Sequence, residues 1–187
     1  GETQAWRLKG HAVNDFWRWI CSWAVNVRKP SDLGYSDEGF ILPPLRMHEH
    51  VVKCNEEARA REAGMLFATE ARTLGDQRAA RRASLTDRVA VAAALANEDE
   101  EQWLIWCDLN SESAALTAAI NGAVEVQGSD SVETKERALF DFAAGKIRAL
   151  VSKPSICGHG MNFQRCAHVA FVGVSHSFEA WYQAIRR

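Results

Sequence analysis

The apolar residues of this chain follow two rhythms, and the change between them falls at Trp103. Before it they recur at helical spacing. Phe16, Trp19, Ile20, Trp23 and Val27 mark one face of a first helix, which Asn14 or Asp15 can cap. Trp19 and Trp23 are expected in a core, whereas Trp17 lies off the stripe and is expected to face a partner or a missing part of the protein. Arg28, Lys29 and Pro30 end that helix, and residues 30–39, rich in turn formers, predict an exposed loop. Pro43 and Pro44 break residues 41–45. The alternation over 46–53 then predicts a strand at a sheet edge, because prolines cannot donate to a ladder. Residues 55–82, rich in Ala, Glu and Arg, predict a helix interrupted near 74–76. Ser84 with Asp87 carries the pattern of a capping box that opens a further helix through Ala96, with Leu85, Val89, Ala92 and Leu95 facing inward.

From Trp103 onward short apolar runs alternate with amphipathic stretches. Strands are predicted over 103–107, 123–126, 147–151 and 169–172, and helices over 111–120, 131–143 and 178–187. Parallel neighbours need crossover connections, so this alternation implies an α/β fold: a parallel sheet covered by helices on both faces, preceded by a mainly helical segment. The working loops of such sheets lie beyond the carboxyl ends of the strands. Here they begin at Asp108, Gln127, Ser152 and Gly173.

Composition narrows the class. With 187 residues, 47% hydrophobic and 25% charged, the chain can bury one sizeable core. A net charge of -2 gives no basis for nucleic-acid binding over the whole surface, so any such contact must be local. Five cysteines, at 21, 54, 107, 157 and 166, show no C-x-x-C pairing, which speaks against a disulfide framework and a structural zinc site and points to a reducing cytoplasm. No apolar stretch approaches a membrane span, and no membrane partner is expected.

Candidate chemistry gathers in the last third. Gly158 and Gly160 allow a tight bend that can approach another molecule closely. Cys157 and His159, two apart, raise the alternative of a Cys-His nucleophilic pair, though no third group is placed to orient the imidazole. Phe163 is expected as buried packing and Asn162 as a residue pinning the loop through a backbone hydrogen bond. Elsewhere, His48 and His50 share a strand face without a convincing third ligand, so no metal site is assigned. Arg78, Arg81 and Arg82 form a basic cluster, read as a solvated helical face.

The run ICGHGMNF resembles the G-G-x-G-[LI]-N-L loop, motif V, of the Swi/Snf-like branch of superfamily-two helicases and translocases, and YQAIRR is similar to the start of its motif VI, Q-A-x-x-R-x-x-R. Gln127, Gly128, Ser129, Arg137 and Phe142 resemble the family's G-S-[TS]...R...F element, residues 103–107 its motif IV strand, and RKPSDLG...ILPPLRMHEHVV the segment that leads out of the first RecA-like lobe. Order and spacing together carry the likeness. The compact arrangement is closest to phage or prophage helicases of this branch.

The resemblance implies that residues 1–45 are the end of a first lobe with the interlobe crossing, and residues 46–187 a second RecA-like lobe cut at motif VI. It implies that Arg187 reaches across the cleft to the terminal phosphate of ATP as a catalytic group, with Gln183 beside it and Gly158, Gly160 and Asn162 on the ATP side. It implies that Ser152, Lys153, Ser155, Gly128 and Ser129 contact the DNA backbone with weak sequence preference. The partners it implies are ATP with Mg2+, DNA and the missing amino-terminal lobe.

The sequence contains no G-x-x-x-x-G-K-[ST], since Gly145 and Lys146 are followed by Ile147, and no D-E-x-H-like box. A phosphate cradle, a magnesium-holding acid and a water-activating acid are all needed for hydrolysis, so the chain is expected to be inert alone. The alternatives are a non-catalytic nucleic-acid-binding module on the same fold, or a small Cys-His hydrolase.

Overall fold

The computed structural model describes residues 9–41, 44–52, 73–158 and 160–185. The chain divides into two compact units, Gly1–Glu49 and His50–Arg187. In the first, a 3-10 turn Gly10–Ala12 leads into helix α1, Val13–Trp23. Its cap position is Ala12, without a side-chain cap bond, and the helix stops at an extended Ala24, so neither the expected Asn14 or Asp15 cap nor the extension to Val27 is found. The expected burial of Trp19 and Trp23 is also overturned, since they are 59% and 63% exposed. Phe16, Trp17, Trp19 and Trp23 instead contact one another in a chain of rings, with Trp19 and Trp23 edge to face at 5.4 Å. The loop that follows is locally ordered by a 3-10 turn, Pro30–Leu33, in which Asp32 accepts from the backbone N–H of Arg28 at 2.8 Å.

The strand expected over 46–53 is not present in its described part, residues 46–52. Residues 46–51 are all exposed, Met47 at 68% and Val51 at 80%, so neither pleat face is buried. Of the helix expected over 55–82, residues 53–72 lie outside the described residues. The interruption near 74–76 is a true helix start: α2, Leu74–Ala83, begins at a reciprocal capping box in which Thr73 Oγ1 accepts from Asp76 N and Asp76 Oδ2 from Thr73 N.

Ser84 separates α2 from α3, Leu85–Ala96, but it is no capping box for α3. Its hydroxyl turns back to donate to Ala80 O at 2.9 Å, so it terminates α2. Val89, Ala92, Ala93 and Ala96 are the buried face of α3.

The rest is the expected α/β sheet. Strands β1 (Trp103–Trp106), β2 (Ala123–Val126), β3 (Ala149–Ser152) and β4 (His168–Phe171) are all parallel, in the order β2-β3-β1-β4. Helices α4 (Asn110–Ala119) and α5 (Val132–Ala143) make the first two crossovers, and the single turn α6 (Pro154–Cys157) and helix α7 (Phe178–Ala184) complete the set. The central strands β1 and β3 read as unbroken apolar runs because both their faces are covered. Ile105, Cys107, Ala149 and Val151 pack under α3 and α4, while Leu104, Trp106, Val126 and Leu150 pack under α5, α6 and α7 with Phe142 and Phe163.

Connection geometry follows from strand order. The β1-to-β2 crossover runs one way along the sheet and β2-to-β3 runs back, so connections of a single hand must lie on opposite faces, as α4 and α5 do. Next to β1, whose chain leaves toward α4, both β3 and β4 send theirs to the other face. Adjacent strands that depart oppositely open a crevice at their carboxyl ends, the position at which such sheets hold ligands.

Candidate functional site at the carboxyl edge of the sheet

All four strands point the same way, so the segments after Trp106, Val126, Ser152 and Phe171 share one edge. Because β2 and β3 are neighbours with Val126 opposite Ser152, the Gly128 and Ser129 loop lies beside the turn that starts at Lys153. Gly128, Ser129 and Ser155 are exposed and Lys153 is half-buried. These four residues of the expected backbone-contact set are therefore brought to adjacent strand ends.

Ser152 does not belong with them. It is the last residue of β3, not the first of a loop; it is fully buried, and its hydroxyl donates to Val126 O at 2.8 Å. Its carbonyl accepts from Cys107 N at 3.0 Å. With both groups engaged inside the sheet it has nothing to offer an external phosphate, and the expected contact is corrected on that ground.

The glycine-hinged bend also differs from expectation. Gly158 donates its N–H to Pro154 O at 2.8 Å, and a Cβ built there would lie 2.3 Å from that same oxygen. Its missing side chain thus admits the Pro154 backbone, closing α6, and is not left free for a nucleotide. Gly160 is exposed with φ +74 and open space around it. Asn162 is exposed and makes no side-chain hydrogen bond among the described residues, so the pinning role expected of it is not seen. Phe163 is buried, edge to face with Phe142 at 5.1 Å, as expected.

Gln183 sits half-buried on α7. That helix packs against α6, so the two segments that carry the motif V and motif VI likenesses touch. Trp106 Nε1 of β1 donates to Ala184 O at 3.3 Å and fixes the end of α7 to the sheet. Arg186, Arg187 and His159 lie outside the described residues.

Cys157 is 2% exposed, and burial pushes its thiol above the ordinary cysteine value. A nucleophilic cysteine needs the opposite shift and access to substrate. Burial likewise pushes Cys107 up to about 11, against the positive charge of Lys153. Among the described residues no group of three or more His, Cys, Asp or Glu side chains is placed to hold a metal ion, and no helix is long and apolar enough to cross a membrane.

A buried carboxylate at this edge was missed by sequence reasoning. Glu112, fully buried in the first turn of α4, accepts the backbone N–H groups of Asp108 at 2.9 Å and Leu109 at 3.0 Å through Oε2, and Arg88 Nη2 at 2.7 Å through Oε1. Burial opposes its ionisation, but those two N–H donors and the Arg88 guanidinium outweigh it, and the carboxyl titrates below its ordinary value. Arg81, expected in a solvated cluster, turns inward and pairs with Asp108 at 2.5 Å, while Arg78 and Arg82 remain exposed. Glu112 three residues after Leu109 is half of a capping-box signature; the Ser or Thr half is absent, which hides it.

No protein-family model matches this chain, and no curated protein matches it either.

Proposed function

We propose that the chain is the second RecA-like motor lobe of an ATP-dependent DNA helicase or translocase of the Swi/Snf-like, superfamily-two kind, close to the compact phage or prophage forms. The observation that carries this reading is the contact of α6 with α7 at the carboxyl edge of an all-parallel sheet, beside the exposed Gly128 and Ser129 loop. Lys153, Ser155, Gly128 and Ser129 hold the phosphates of one DNA strand through an ammonium, hydroxyls and backbone N–H groups, so sequence preference is weak.

Arg187 and Gln183 serve the interlobe nucleotide. A guanidinium there neutralises charge that develops on the transferred phosphoryl group. ATP and Mg2+ bind with groups of the other lobe, because this chain has neither a phosphate-cradling loop of the G-x-x-x-x-G-K-[ST] type nor a D-E-x-H-like box. Closure of the lobes on ATP and their release after hydrolysis would move one lobe along the strand. The fitting compartment is a reducing cytoplasm, since Cys21, Cys107, Cys157 and Cys166 are free thiols. The buried, upshifted thiol of Cys157 weighs against a hydrolase reading. Replacing Arg187 with Ala in the protein that carries both lobes, and reading ATP turnover against DNA affinity, tests the proposal.

A further inference from the structure

The turn between β4 and α7 hangs on two arginines that belong to none of the motif likenesses. Arg88, on α3, reaches it through Nη1, which donates to Val172 O, while Nε donates to Ser84 Oγ at 3.1 Å and Nη2 to Arg81 O and to Glu112 Oε1, each at 2.7 Å. Arg81, on α2, donates through Nη1 to Asp108 Oδ2 and through Nη2 to Val174 O at 2.7 Å. Val172 and Val174 are the first and third residues of the turn. Between them Gly173 lies against Glu112, where a Cβ would come within 2.3 Å of Oε2.

Beyond Val174 the anchors change character. Residues 175–177 are exposed, and the side-chain hydrogen bonds there are local: Ser177 N to Ser175 Oγ, and Ala180 N to Ser177 Oγ. Arg81 thus makes the last side-chain tether from a distant element before α7 begins.

We infer that Arg81 is a positioning residue for the turn that leads into α7, through its bond to Val174 O. This rests on the motor reading, in which α7 precedes the Arg187 that must meet a phosphate across a cleft, where misplacement by an ångström costs on the order of a hundredfold in rate. Asp108 holds the Arg81 guanidinium at one nitrogen so that the other stays aimed at Val174 O. Arg81 and Asp108 are partly exposed, 25% and 37% at the side chain, so the tether can be cut without opening the core.

Two measurements test it. In this chain, Arg81→Met should speed amide hydrogen exchange about tenfold over residues 174–184, the loss of one charge-assisted bond, and leave β1 and β3 unchanged. Unchanged exchange over 174–184, or acceleration spread evenly over the sheet, overturns the inference. In the two-lobe protein, Arg81→Met should lower kcat for DNA-stimulated ATP hydrolysis by about tenfold or more with KM for ATP little changed, and Arg81→Lys should recover part of the loss. An unaltered kcat, in a protein that Arg187→Ala inactivates, also overturns it. Turnover untouched by Arg187→Ala would instead remove the motor reading, and with it the catalytic purpose of the tether.

Discussion

Arg88 of α3 and Glu112 of α4 form a 2.7 Å ion pair in which the carboxylate is wholly shielded from solvent and the arginine side chain is 17% exposed. Around that pair Glu112 Oε2 accepts from the backbone of Asp108 and Leu109, and Arg88 donates to the carbonyls of Val172 and Arg81 and to Ser84 Oγ. Removing one partner leaves the other charged and unpaired. Arg88→Leu should therefore cost about 3–5 kcal/mol of folding stability, measured by urea denaturation of the chain. A loss near that of an exposed pair, under about 1 kcal/mol, would contradict the burial.

The same carboxyl predicts an acid limb. Its folded value lies below the ordinary one, so its contribution is fully present above the unfolded carboxylate value and is lost as pH falls through the depressed folded value. Denaturation midpoints of the parent and of Glu112→Gln should differ widely at neutral pH and converge in acid. A constant gap between them from pH 7 to pH 3 would show that the charge of Glu112 is not what stabilises.

Gly158 should resist substitution for an internal reason. A methyl group at that position meets the Pro154 carbonyl oxygen and Cα at 2.3 and 2.8 Å, both backbone atoms that cannot swing aside. Gly158→Ala should cost about 1–3 kcal/mol, whereas Gly128→Ala, with open space around it, should cost far less. Equal stability of the two variants would refute the internal role.

Thiol accessibility separates the motor from the hydrolase. Brief alkylation of the native chain, read by mass spectrometry, should modify Cys21 and spare Cys107, Cys157 and Cys166, which are buried with raised thiol values. Rapid modification of Cys157 would reopen the Cys-His alternative.

How far the sequence could be read depended on whether the signal was local. Strands β1 and β3 announce themselves as short apolar runs, since a strand covered on both faces has no polar side to show. The helices between strands follow from their periodicity, and the order of elements implied a parallel sheet with its loops at one edge. Ser152 shows the limit: one residue decides whether a hydroxyl ends a strand, buried, or opens a loop, exposed. Trp19 and Trp23 show another, because a stripe says which residues share a face and not whether anything covers it. Arg88 and Glu112 stand 24 residues apart on different helices, and no local pattern joins them. The bonding at the candidate site was thus hidden where it depends on contacts across the fold.

The central claim is the proposal that this chain completes an ATP site with Arg187. Its most direct test is DNA-stimulated ATP turnover by the two-lobe protein carrying Arg187→Ala. The account predicts a fall of roughly 10³-fold or more with DNA affinity largely retained, and turnover close to that of the parent protein would contradict it.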